Sequence, residues 1–220
     1  MASLDDEESR SAFRERFAKY YDNDRLSDFT ISCGVRTWKV HKFVLSVHSD
    51  VLEASCSGEF KEAKDGILDL SEYSITEVEN FIYYLYNWTY NIIGWGSTTY
   101  LEDLLLHVDM VIMGDKYLVP GLVALAERKF SESLDELFEE EKYAVLAEVA
   151  LKAYNSPHAT TKMRSHLVNA VIELDPGQFS GEAILQTMRL QAEFAADIFL
   201  AMQKKLREAE AKATRAGARH

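Results

Sequence analysis

With 220 residues, 47% of them hydrophobic, 11% aromatic and 27% charged, the chain is long and apolar enough to bury the core of one domain with a smaller appendage. This excludes a mostly disordered chain, and three Pro and ten Gly without periodicity exclude a fibrous one. A formal charge of −12 repels phosphate backbones and anionic membranes, which disfavours nucleic acid and membrane partners. Cys33 and Cys56 are too few for a disulfide framework or a four-cysteine zinc site and read as small buried apolar residues. Without a signal-peptide pattern or an apolar run of bilayer length, the expectation is a soluble intracellular protein, cytoplasmic or nuclear, without cofactor or metal.

Residues 1–24 read as an acidic lead-in and a short helix over 11–21 carrying Phe13, Phe17 and Tyr20 at helical spacing. Two β-prone runs, 28–33 and 36–40, flank Gly34-Val35 and predict a hairpin. Apolar positions between His41 and Cys56 suit two short helices that meet near Ser49-Asp50, and residues 66–70 alternate like a third strand. Ser74 and Glu77 have the spacing of a capping box and predict a helix through Val78, Phe81, Ile82, Leu85 and Tyr86. A long loop over 87–99 follows, and its Gly94-Trp95-Gly96 is only a fragment of a nucleotide-loop pattern.

Thr99 and Glu102 form a second box, opening a helix to Tyr117, and Pro120 suits the first turn of a helix over 121–137. The remainder reads as three helices, 141–154, 162–174 and 183–212, with a turn at Asp175-Pro176-Gly177. Glu139 to Glu141 reads as a solvated acidic face. Lys204, Lys205, Arg207, Lys212, Arg215 and Arg219 against Glu208 and Glu210 give residues 204–220 a charge of +4 and leave −16 for the rest. This basic tail reads as a frayed helix end, with contact to an acidic partner as the alternative.

The motifs Ser27-Asp28-Phe29-Thr30, Trp38-Lys39-Val40-His41-Lys42-Phe43-Val44-Leu45-Ser46, Phe60-Lys61-Glu62 and Ile67-Leu68-Asp69-Leu70 follow one another in order. Together with Phe81 to Tyr86 and Asp115-Lys116-Tyr117-Leu118-Val119, they resemble the BTB/POZ domain over residues 25–135. The resemblance implies an α+β fold, a small sheet flanked by helical hairpins, followed by an all-helical extension over 136–203 and the basic helical tail over 204–220. That long helical part is similar to the BTB proteins of filamentous fungi.

By this resemblance the chain is a non-enzymatic protein–protein interaction module. It implies a substrate adaptor for a cullin-type ubiquitin ligase, binding the cullin scaffold through residues of about 40–118, or else a self-associating scaffold or transcription co-regulator without ligase function. Tyr100 and Glu102 match the hydrophobic-x-acid motif of cullin-binding members, although Glu102 also serves the capping box. Asp28 and Lys42 match the charged pocket at the dimer floor of the zinc-finger branch, where burial would oblige them to pair. Phe13, Phe17 and Phe29 are candidate contacts of a homodimer. His41 holds the family's histidine position and reads as a hydrogen-bonded packing residue, because no nucleophile stands at a suggestive spacing. The aromatic group Tyr83, Tyr84, Tyr86, Trp88 and Tyr90 is expected to be partly core and partly loop.

Overall fold

The computed structural model describes residues 4–90, 99–137, 142–156, 158–174 and 182–217. Gly94-Trp95-Gly96, most of the predicted loop around it, Glu139 to Glu141, the turn at Asp175-Pro176-Gly177 and Arg219 lie outside the described residues. The chain divides into two units, one of Met1–Thr98 with Asp109–Ala126, the other of Thr99–Val108 with Glu127–His220.

In the first unit the sheet grows from the alternation Phe29, Ile31, Cys33, all buried on one face of β1 (Phe29–Cys33). Gly34 takes φ +56°, which a Cβ would resist, and so closes a two-residue turn into β2 (Arg36–Val40), paired Cys33↔Arg36 through Phe29↔Val40. On the other edge of β1, β3 (Ile67–Asp69) pairs in parallel, giving the order β2-β1-β3. The parallel crossover carries α2 (Lys42–His48), α3 (Asp50–Ser57) and α4 (Lys61–Asp65).

Ser49 separates the first two of these helices because its hydroxyl caps the second. It accepts from the Val51 and Leu52 amides at 3.0 and 3.2 Å while donating to the Tyr117 carbonyl. No periodicity announces α4, since its five residues bury no side chain and it stops at Gly66, φ +71°.

The expected stripe appears in α5 (Ile75–Asn87), where Val78, Phe81, Ile82, Leu85 and Tyr86 are buried. Its capping box is complete: the Glu77 amide donates to Ser74 Oγ at 3.2 Å and the Ser74 amide to the Glu77 carboxylate at 2.9 Å. Ser74→Ala is expected to lower stability by about 1 kcal/mol, read from the midpoint of a urea titration.

The first helix, α1 (Leu4–Ala18), starts earlier and stops sooner than the expected 11–21. Glu7 and Glu8 near its start suit the positive pole of a helix N-terminus, and Tyr20 lies beyond the helix in a turn. Phe17 holds α1 to the domain, its ring 5.8 Å from Tyr86 and 5.1 Å from Trp88. Two longer helices follow, α6 (Tyr100–Lys116) and α7 (Pro120–Asp135), the latter opening on its proline as expected.

The second unit also contains α8 (Lys142–Tyr154), α9 (Thr161–Ile172), α10 (Glu182–Leu190) and α11 (Ala192–Gly217). The single helix expected over 183–212 is thus two, parted at Gln191. No Gly or Pro breaks it; α10 packs mainly on α8 and α11 mainly on α9, so the chain must change direction between them. The basic tail continues the last helix, since α11 runs to Gly217. Lys205 explains part of this, donating to the Ile172 carbonyl at the C-terminus of α9 at 3.1 Å. Inside the unit Arg164 stacks 3.9 Å from the Tyr154 ring and pairs with Asp197 at 2.9 Å, while the Tyr154 hydroxyl donates to the same carboxylate at 2.7 Å.

Candidate protein-interaction surfaces

His41 joins β2 to α2 and is buried. Its Nε2 lies 2.9 Å from the Arg25 carbonyl, which can only accept, so this nitrogen carries the proton. Nδ1 is then an acceptor, 2.8 Å from the Tyr86 hydroxyl, whose oxygen in turn accepts the His41 amide at 3.1 Å. Every polar group in this knot is satisfied, leaving no atom poised for chemistry. Burial pushes the Tyr86 phenol well above its ordinary range.

Around the knot opens a cleft of about 280 Å³ lined by Phe17, Tyr20, Leu26, Asp28, His41, Phe43 and Val44. Leu26 is 74% and Phe43 70% exposed, a large apolar surface for one rim. The Leu26 backbone sits at φ +65°, a strained choice for a branched side chain. Sequence reasoning missed both rim residues. An isolated leucine in the polar stretch 22–28 is the one available signal for Leu26, whereas Phe43 fits the helical stripe between His41 and Cys56 and carries no signal of exposure.

Asp28 and Lys42 are not buried together, so nothing obliges them to pair. Asp28 is exposed, and its carboxylate accepts the Lys42 backbone amide at 2.8 Å, capping α2 from the strand side. The Lys42 ammonium lies 5.7 Å from the centre of the Phe29 ring. No ion pair joins Asp28 to Lys42 among the described residues.

Of the three phenylalanines expected as candidate dimer contacts, Phe29 is the one that the fold turns inward. It is buried at the start of β1, because the strand's alternation turns it into the core, and has no surface to offer another chain. Phe13 is exposed and stacks 5.7 Å from Phe17, which is half-buried and reaches the cleft.

Tyr100 is half-buried in the first turn of α6 and Glu102 is exposed. The Glu102 carboxylate accepts the Thr99 amide at 2.9 Å, and the Glu102 amide donates to the Thr99 hydroxyl at 3.3 Å, so the capping function is present whatever else the residue does. Cys33 and Cys56 are free and buried. Among the described residues, no group of three or more His, Cys, Asp or Glu could hold a metal ion, and no helix is long and apolar enough to cross a membrane.

The second unit has a cleft of about 520 Å³ between α9 and α11, lined by residues that include Thr161, Arg164, Asn169, Asp197 and Lys204. Arg164 is already neutralised there by Asp197 and by Glu193 at 3.2 Å, so its charge is spent within the fold.

The sheet order, the helices of the crossover and the His41 knot converge with a comparison against protein families, in which the model of the BTB/POZ domain matches residues 17–134, more than half of the chain. The chain therefore belongs to the BTB/POZ family, whose domain is a protein–protein interaction module.

Proposed function

We propose that the protein is a BTB substrate adaptor for a cullin-type ubiquitin ligase, working by bringing a client and a ligase together. The observation that carries this reading is Tyr100-x-Glu102 in the first turn of α6, an aromatic and a carboxylate two residues apart at the helix start. Such a pair can fill an apolar pocket on a partner while the acid meets a polar group at its rim. The helices after residue 135 support the same reading as an extension distinct from the BTB domain over 25–135. They also motivate placing the chain near the BTB proteins of filamentous fungi, in an intracellular compartment where ubiquitin ligases act.

Titration with a purified cullin N-terminal domain tests it. Binding is expected to weaken about tenfold or more on Tyr100→Ala, a loss typical of an aromatic anchor. Glu102→Gln keeps an acceptor for the Thr99 amide and is expected to weaken binding without unfolding the helix start. No measurable affinity for the intact chain would overturn the adaptor reading.

A second reading, a self-associating scaffold or co-regulator without ligase function, is favoured by the exposed apolar group Phe13, Leu26 and Phe43 beside the His41 cleft. In that reading Phe13 and Phe17 contact a second chain.

A further inference from the structure

The last helix buries one side and leaves another bare. Phe194 and Ile198 of α11 are buried and Ala201 is half-buried, and these face the helices it packs on. Next to this strip runs a second one: Phe199, Met202 and Leu206, exposed by 59%, 51% and 61%, continue into the exposed Ala209 and Ala213. The steps are three, four, three and four residues, the a/d pattern of a two-stranded coiled coil. A helix that has already buried one strip has no structural need for a second, and residues 204–215 are exposed throughout. Unsupported helix of that length is marginal in water, which favours an arrangement that covers it.

The charges beside the seam choose the occupant. With Phe199 at a, Gln203 and Glu210 fall at e, and Lys205 and Lys212 at g. In a parallel, in-register pair of identical helices, Lys205 of each chain faces Glu210 of the other, twice by symmetry. An antiparallel pair instead sets Lys205 against Lys212. The seam is thus complementary to itself in one orientation. Glu210 makes no ion pair among the described residues, and the Lys205 ammonium, having given one N–H to Ile172, keeps two more to donate.

We infer that α11 is a self-association seam through which two copies of this chain pair in parallel, burying Phe199, Met202, Leu206, Ala209 and Ala213 and matching Lys205 with Glu210 of the second copy. This surface is neither the Tyr100–Glu102 turn nor the His41 cleft, and its existence does not depend on cullin binding. Two heptads make a short seam, so the expected dissociation constant is weak, about 10 μM to 1 mM.

Sedimentation equilibrium on the full chain, run across that range, tests it. Leu206→Lys is expected to raise the dissociation constant at least about tenfold, by placing a charge on the seam. Lys205→Glu and Glu210→Lys are each expected to weaken association, and an equimolar mixture of the two variants to restore it, because opposite charges then meet again across the two chains. Ala213→Cys is expected to cross-link to itself under mild oxidation, since a parallel register brings equal positions together; the native cysteines are buried. Circular dichroism unchanged in each variant separates lost pairing from lost folding.

A monomer at every concentration would overturn the inference. So would a dimer indifferent to Leu206→Lys but lost on Phe43→Glu, which would assign association to the first unit. Association without the 213–213 link would overturn the parallel arrangement.

Discussion

Tyr86→Phe is expected to destabilise the protein by about 2 to 4 kcal/mol although it removes a single oxygen. That oxygen accepts the His41 amide at 3.1 Å and gives its proton to His41 Nδ1 at 2.8 Å. Phenylalanine fills the same space but leaves an amide and a ring nitrogen buried without partners, each costing about 1 to 3 kcal/mol in desolvation that nothing returns. The loss should appear in the urea midpoint with an unchanged slope. Tyr83→Phe on the same helix, where the side chain is half-buried, serves as the control and is expected to stay within about 0.5 kcal/mol. A Tyr86→Phe protein as stable as its parent would show that His41 finds other partners.

The second large effect is acid sensitivity traced to His107, which is buried in α6 with Nε2 3.4 Å from the Ser133 hydroxyl and Lys129 nearby. Burial first, and then the positive charge of Lys129, pull its pKa down from 6.5 to about 4. Because the folded pKa lies below the unfolded one, unfolded chains bind a proton between these values that folded chains refuse. Stability is therefore untouched above about pH 6.5 and falls as pH drops toward 4, by about 3 kcal/mol from this residue alone. His48, whose Nε2 lies 2.7 Å from the Leu85 carbonyl, is shifted in the same direction by its own burial. Urea titrations of parent and His107→Gln between pH 7.5 and 4.5 should show the parent losing about 2.5 kcal/mol more than the variant over that interval. Parallel losses in both proteins would mean that His107 is protonated in the fold.

What the sequence disclosed and what it withheld divide by the range of the interaction. The Ser74–Glu77 and Thr99–Glu102 boxes, the Gly34 turn and the Pro120 start are decided within four residues, and each stands where it was expected. The break at Gln191 is not written locally, since residues on both sides are helix formers and only the different packing partners of α10 and α11 separate them. Likewise α4 has no apolar stripe to reveal it.

At the candidate surfaces the same rule holds. Asp28 and Lys42 are 14 residues apart, and residue type alone could not tell that the carboxylate meets the lysine's amide and not its ammonium. His41 and Tyr86, 45 residues apart, share three atoms that no spacing rule links. The apolar strip of α11 could be read from periodicity, but which of its two strips the fold buries could not.

The position of β1 in the middle of the sheet sets an order on folding. Its pairing with β2 is local, through a two-residue turn, and hairpins of this kind close in about 1 to 10 μs. Its other edge waits, because the Thr30 amide and the Ser32 carbonyl find Gly66 and Leu70 only after the whole α2 to α4 segment has been laid down. During that interval the central strand of the domain presents an open hydrogen-bonding edge beside Phe29, Ile31 and Cys33, the template on which stray strands aggregate. Speed in assembling three short helices, the least stable-looking part of the domain, is thus what protects its most apolar strand.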